Sequence, residues 1–378
     1  MTFEPISRRR FASVLGAATG AAALLPARPG FARAGAPEAT PSTPIRISSN
    51  ENPYGPSEQA LAAMTRSQEV AARYPDDSVR EVVGALAKAH GVSPDQVVLG
   101  CGSSEVLRLA DAAFLSAGKT VVVAEPTFEA VLDYARVTRA EAVKVPLTAD
   151  FRHDLETMAA ACDARTGLVY VCNPNNPTGT IVTAAEILAF LAKVPRSATV
   201  LVDEAYHHFV EDAGYSSATE LISRFPNLVV ARTFSKIHGM AGMRLGYALT
   251  TEANARALRE HSSWANVNVA VARAGLASLA DEERVARIRA LMNGTRRRLC
   301  EELAKEGRRY IPSEANFLMI HVGRDAEPVI AAFKERGILV GRRFASLPEW
   351  LRVSIGTPEE MTAFLAGLQE LVPARAAA

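Results

Sequence analysis

Leu168-Val169-Tyr170-Val171-Cys172-Asn173-Pro174-Asn175-Asn176-Pro177-Thr178-Gly179 joins an apolar run to a polar turn. The run does not alternate, which is the pattern of a strand covered on both faces of a sheet. The Asn/Pro-rich segment ends the strand, so its carboxyl end carries polar groups. Similar runs at 97–99, 120–123, 141–145, 199–202, 228–231 and 245–249 also read as strands. Helical patterns fill 104–114, 129–139, 154–161 and 183–193 between them. This β-α-β-α order predicts an α/β fold: an open, mainly parallel sheet flanked by helices. Near residues 264–268 the rhythm changes. A long charged helix at 281–305 is followed by short segments at 316–321, 327–336, 338–340, 351–354 and 358–371, which predicts a smaller α+β domain. No internal repeat is visible.

The chain has 378 residues, with 48% apolar and 22% charged, as in an ordinary globular protein. Lys and Arg number 42 against 41 Asp and Glu, a net charge of +1 that argues against a nucleic-acid binder. Four cysteines in this length make no disulfide scaffold, and none has the C-x-x-C spacing of common zinc and redox motifs. The charge is uneven. Residues 1–34 hold Arg8, Arg9, Arg10, Arg28 and Arg33 against Glu4, leaving 37 basic and 40 acidic residues, a formal −3. Ser7-Arg8-Arg9-Arg10-Phe11 resembles the twin-arginine export motif, with Ala12 and Ser13 replacing the usual leucine and lysine. A weakly apolar stretch at 14–25 and a small-x-small site ending at Ala34 complete a signal, predicting an exported protein that begins at Gly35. An uncleaved interfacial helix or a basic tail is the alternative. The stretch is shorter than the ~20 residues of a membrane span, so stable insertion is not expected. The expected division is 1–34 signal, 35–71 linker and arm of the smaller domain, 72–265 large domain, and 266–378 small domain.

In such sheets ligands bind at the carboxyl ends of the strands. Four of these ends carry chemistry: Gly100-Cys101-Gly102-Ser103-Ser104-Glu105, Cys172 to Gly179, Asp203-Glu204-Ala205-Tyr206, and Ser235-Lys236 with Ala241-Gly242-Met243-Arg244-Leu245-Gly246. Each alone has a structural reading as a turn or cap. Together they match the needs of pyridoxal phosphate: an amine for the aldehyde, an acid for the ring nitrogen, donors for the phenolate and a phosphate cradle. Lys236 supplies the amine and, once released, a general base. Asp203 keeps the ring nitrogen protonated, while Tyr206 and Asn176 serve the phenolate. Ser103 and Ser104 at a helix N-terminus, with Ser235 and Arg244, form the cradle. Phe128 stacks on the ring.

These motifs resemble those of fold-type I, class I/II aminotransferases, and most closely the histidinol-phosphate aminotransferase family. The resemblance extends to Asn50-Glu51-Asn52-Pro53-Tyr54-Gly55-Pro56, Arg73-Tyr74-Pro75-Asp76 and Leu351-Arg352-Val353-Ser354-Ile355-Gly356-Thr357, covering about residues 45–372. It implies a transaminase acting on an L-amino acid and a 2-oxo acid. It also implies a homodimer, with Tyr74 reaching the partner's cofactor phosphate. Arg352 would hold the substrate carboxylate, and Asn52 and Tyr54 would line the substrate pocket. Two positions depart from the family. Ser104 replaces an acid, and Gly341 stands where an arginine contacts substrate phosphate. Arg342 follows as the candidate substrate residue, with Arg343 as the alternative. That departure and the export signal argue against histidinol phosphate itself and favour a histidinol-phosphate-like, aromatic or otherwise bulky amino donor, or a specialised metabolite.

The motifs do not encode which bond breaks. A decarboxylase or lyase of the threonine-phosphate decarboxylase type, or a cyclase or epimerase, is therefore the alternative; a non-catalytic exported binding protein conflicts with the intact Lys236 and Asp203. His207 and His208 lack a metal-ligand pattern and read as packing residues, whereas His238 is placed to approach the cofactor phosphate. Cys101 and Cys172 read as buried thiols, and Arg296-Arg297-Arg298 as a solvated helix face.

Overall fold

The computed structural model describes residues 44–373; the expected signal, its cleavage site and most of the linker lie outside them. The described chain starts with β1 (Ile45–Arg46), α1 (Glu58–Arg66) and α2 (Asp76–His90). The predicted alternation follows: β2 (Val97–Gly100), α3 (Ser103–Phe114), β3 (Thr120–Glu125), α4 (Ala130–Thr138), β4 (Glu141–Pro146), α5 (Leu155–Ala160), β5 (Thr166–Cys172), α6 (Ala184–Lys193), β6 (Thr199–Asp203), β7 (Leu228–Thr233) and β8 (Gly246–Thr250). Next come α7 (Glu252–Arg259), α8 (Val269–Ala280), α9 (Glu282–Lys305), β9 (Tyr310–Ile311), β10 (Phe317–His321), α10 (Ala326–Glu335), β11 (Ile338–Leu339), β12 (Trp350–Ser354) and α11 (Pro358–Leu371).

Seven strands form one sheet in the order β2-β8-β7-β6-β5-β3-β4. β8 pairs antiparallel with β2 and β7, and the other neighbours pair parallel. The non-alternating runs have the predicted cause. Val122, Val169, Val200 and Val230 face one apolar core, while Val121, Leu168, Leu201 and Val229 face another on the opposite side. Covered on both faces, the sheet leaves its polar chemistry to the strand ends. The smaller antiparallel sheet, β12-β10-β9, packs with α9 and α11 through Leu299, Leu303, Phe317, Ile320, Phe364 and Leu368.

Two expected boundaries are corrected. The arm at 35–71 is divided: β1 pairs with β11, but Ala60 of α1 joins the large-sheet core. Likewise α8, expected in the smaller domain, buries Val271, Ala272 and Ala274 in that same core with Val82 and Leu86 of α2. Apolar burial, not position in the chain, decides which core a helix joins. Among the described residues no helix is long and apolar enough to cross a membrane.

Candidate active site

A cavity of about 330 Å³ opens at the carboxyl ends of the parallel strands. Ser103, Ser104, Phe128, Asn176, Asp203, Tyr206, Ser235, Lys236, Arg244, Arg342 and Arg352 all line it, though they come from opposite ends of the sequence.

The Lys236 ammonium donates to the backbone carbonyls of Asn50 at 3.0 Å and Ser49 at 3.4 Å. Burial and then the positive charge of Arg352 lower its pKa to about 8, so its neutral nucleophilic form is accessible near neutral pH. Asp203 ends β6. Burial raises its pKa to about 6, opposed by hydrogen bonds from the Tyr170 hydroxyl to Oδ2 at 3.0 Å and the Ala205 N–H to Oδ1 at 3.1 Å. Tyr206 follows on the next turn, and its hydroxyl accepts from Asn50 Nδ2 at 3.1 Å, leaving its proton to donate. Burial pushes that phenol well above its ordinary pKa, which keeps it a donor. Behind this cluster, the Arg232 guanidinium donates to the Glu204 carboxylate at 2.9 and 3.1 Å, a buried ion pair joining β6 to β7.

The anion cradle is a close approach of backbones. Gly102, with φ 78°, caps α3; a Cβ there would lie 2.2 Å from Arg244 Nη2. A Cβ on Gly246 would lie 2.2 Å from the Ser103 backbone nitrogen, so β8 runs directly beneath the helix N-terminus. Arg244 donates to the Ala241 carbonyl at 2.9 Å and to Ser235 Oγ at 3.3 Å. The helix N-terminus and this guanidinium thus converge on one anion-binding concavity.

Arg352 is deeply buried on β12. Its Nη1 donates to Asn176 Oδ1 at 2.7 Å and its Nη2 to the Ser48 carbonyl at 3.0 Å, while Nε has no partner. A buried guanidinium lining the cavity with a donor still unpaired is suited to a carboxylate. Asn176 spends its carbonyl on Arg352, so its amide N–H groups remain available as donors.

Three candidate residues stand outside the cavity. Asn52 instead lines an adjoining space of about 300 Å³; its Nδ2 donates to the Ile237 carbonyl at 2.9 Å and its Oδ1 accepts the Tyr54 N–H at 3.0 Å. Tyr54 packs half-buried against the small-domain core. In this chain Asn52 ties the arm to the lysine loop and Tyr54 packs on the small-domain core. Tyr74 is 70% exposed and packs at a tilt against Trp264, 71% exposed, with ring centroids 4.5 Å apart. The two arginines after Gly341 also separate. Arg342 lines the cavity and pairs with Glu129, whereas Arg343 bonds Asp325 at 2.6–2.9 Å.

Other expectations are overturned. His238 Nδ1 lies 2.8 Å from Ser278 Oγ, its ring packs on Phe234, and burial lowers its pKa to about 4, so it does not join the cradle. Cys101 is exposed, unlike buried Cys172. Arg296 is buried, donates to the Ala315 carbonyl at 3.0 Å and pairs with Glu211 and Glu314. Two contributors escaped the sequence reading. Asn50, at the start of the arm motif, bonds Tyr206, Ser354 and Lys236. Tyr170 reads as one more apolar residue of its strand. Among the described residues no cluster of three or more metal-ligating side chains occurs.

The residues fit pyridoxal phosphate: a buried amine held by backbone carbonyls, an acid held by two donors, a phenol donor, and a cradle that a Cβ at Gly102 would fill. Lys236 and the cradle would hold it, with Asp203 at its ring nitrogen. When bound, it supplies the electron sink for ionising the amino acid Cα–H bond. Lys236 then holds and returns the proton at its Nζ, and Arg352 orients the carboxylate.

Comparisons with known proteins agree. Residues 42–368 match the family Aminotransferase class I and II. Histidinol-phosphate aminotransferase 2 of Ralstonia nicotianae is 39% identical over 340 residues, covering 88% of this chain and 90% of that protein. The Symbiobacterium thermophilum histidinol-phosphate aminotransferase is 41% identical over 327 residues, covering 86% and 90%. The crystal structure of histidinol-phosphate aminotransferase from Sinorhizobium meliloti in complex with pyridoxal-5'-phosphate superposes with a TM-score of 0.82 at 29% identity, covering 88% of this chain and 92% of that one. The chain therefore belongs to the class I and II aminotransferase family and is a pyridoxal-phosphate-dependent transaminase of fold type I, homologous to histidinol-phosphate aminotransferases.

Proposed function

We propose that this chain is an exported homodimeric transaminase that takes L-amino acids with aromatic or otherwise bulky side chains and passes the amino group to a 2-oxo acid. The observation that carries the substrate class is the cavity lining: Phe128 and Phe344 flank the polar cluster, and the Arg352 guanidinium lines the same cavity as the partner for a carboxylate. The relatives' names point to histidinol phosphate, a ring-bearing amine, and thus to the same size of side group. Gly341 at the family's arginine position weighs against the phosphate ester itself.

Residues 1–34, with their arginine run and small-x-small end, support export by the twin-arginine machinery and cleavage after Ala34. The exposed Tyr74–Trp264 pair supports a second copy covering this face, with Tyr74 reaching the partner's cofactor phosphate.

Single-turnover mixing tests the reaction. Bulky L-amino acids should convert the bound aldehyde form of the cofactor to pyridoxamine phosphate, with release of the keto acid. Release of carbon dioxide or ammonia without pyridoxamine phosphate would instead establish the decarboxylase or lyase reading. Lys236→Ala should abolish turnover and leave the fold intact. For export, the protein in the exported fraction should begin at Gly35 by N-terminal sequencing; retention of residues 1–34 in the cytoplasm would refute it.

A further inference from the structure

We propose that Glu129 is a specificity-determining residue: it neutralises Arg342 at the cavity rim and weights the site toward amino acids with one anionic group over those with a second carboxylate or a phosphate. The inference rests on the transaminase reading above and deepens it.

Three guanidinium groups line the cavity, and they differ in what they are free to bind. Arg244 is committed to Ser235 and Ala241 in the anion cradle. Arg352 is buried and donates to Asn176 Oδ1 and the Ser48 carbonyl, with its buried Nε unpartnered among the described residues. Arg342 lies at the rim, half open to solvent, and is ion-paired with Glu129. The Phe344 ring neighbours the last two, with Arg352 Cζ 5.2 Å and Arg342 Cζ 4.3 Å from its centroid. A substrate carboxylate on Arg352 therefore has Phe344 and then Arg342 as its next neighbours.

An unpaired guanidinium at that position would draw in a second anionic group. Glu129 instead supplies the opposing charge from the residue preceding α4. Its carboxylate makes no capping hydrogen bond to its own helix, so it is available to Arg342. The loop carrying Arg342 is anchored near it, because Ser346 Oγ donates to Glu125 Oε1 at 2.8 Å at the end of β3. Gly341 cannot take over, since a Cβ there would lie 2.7 Å from the Arg352 carbonyl oxygen. Arg342 thus faces the cavity already matched by an acid, so a doubly anionic substrate must compete with Glu129. A singly anionic one need not.

The test uses the cofactor-loaded enzyme and two unreactive acids, 3-phenylpropanoate with one carboxylate and glutarate with two. Dissociation constants are measured by calorimetry for wild type, Glu129→Gln and the double variant with Arg342→Gln. Since half-exposed ion pairs are modest, Glu129→Gln should tighten glutarate by about threefold, with 3-phenylpropanoate unchanged, and the double variant should lose that gain. An unchanged ratio of the two constants in Glu129→Gln, or a gain that survives in the double variant, would overturn the proposal. Failure of the transaminase reading has a separate signature. In that case no amino acid converts the wild-type cofactor to its amine form, while the ratio of the two acids still reports on Glu129.

Discussion

Lys236 and Asp203 face the same cavity, yet burial moves their pKa values toward one another, to about 8 and about 6. For Lys236 the charged form is disfavoured, so the neutral amine that attacks an aldehyde becomes populated as pH rises through the lowered value. Protein stripped of cofactor should therefore capture pyridoxal phosphate at a rate that climbs with pH to a midpoint near 8. Stopped-flow absorbance would show this, and a midpoint near the ordinary lysine value would contradict it. For Asp203 the ionised form is the functional one. Tyr170→Phe removes one of its two donors, and the carboxylate pKa should rise further. The acid limb of the kcat profile should then move upward by roughly one pH unit, with little change at high pH. At this scale, Lys236 and Asp203 were legible because their chemistry is tied to residue type at a strand end, and Arg352 through the family resemblance of its motif. Tyr170 was not, because a hydroxyl within a Val-rich run betrays no partner until β5 and β6 pair.

The cradle belongs to the scale of elements. It exists because β8 passes beneath the first turn of α3, with Gly246 opposite Gly100 in the β2–β8 register. Gly246→Ala would place a methyl group within 2.2 Å of the Ser103 nitrogen. Backbone is poor at yielding, so the helix N-terminus should be pushed off its anion. Cofactor affinity should fall about tenfold or more, measured by fluorescence titration, while the sheet remains folded by circular dichroism. Unchanged affinity would mean that the helix terminus does not hold the phosphate. Elements also explain why Arg296 escaped the sequence reading. Three consecutive arginines on a helix point in three directions about 100° apart. Only the packing of α9 against Ala315 and Glu211 turns the first of them inward.

At the scale of the whole molecule, the exposed Tyr74 and Trp264 form an aromatic patch next to each other. If Tyr74 completes the site of a second copy, Tyr74→Ala and Lys236→Ala chains should each be impaired as pure homodimers. Mixed after unfolding and refolding together, they should regain part of the activity, because one site then holds both Lys236 and Tyr74. Size-exclusion with light scattering should give twice the chain mass. No recovery on mixing would place Tyr74 outside the catalytic assembly. The same scale explains the uneven charge. The +1 total averages a cationic leading segment with a remainder at −3, and it describes neither part.

The sequence by itself determined the α/β order, the motifs at the strand ends and the cofactor they fit. Apolar runs and turn chemistry are local, and chain order alone assigns each motif to its strand. Tertiary structure decided which side chains meet. It joined Asn52 to Ile237 across 185 positions and Arg352 to Asn176 across 176. It also sent Arg342 into the cavity and Arg343 to Asp325, and it gave α1 and α8 to the large core. These outcomes depend on long-range packing and on one residue's difference in loop register, neither of which leaves a local pattern to read.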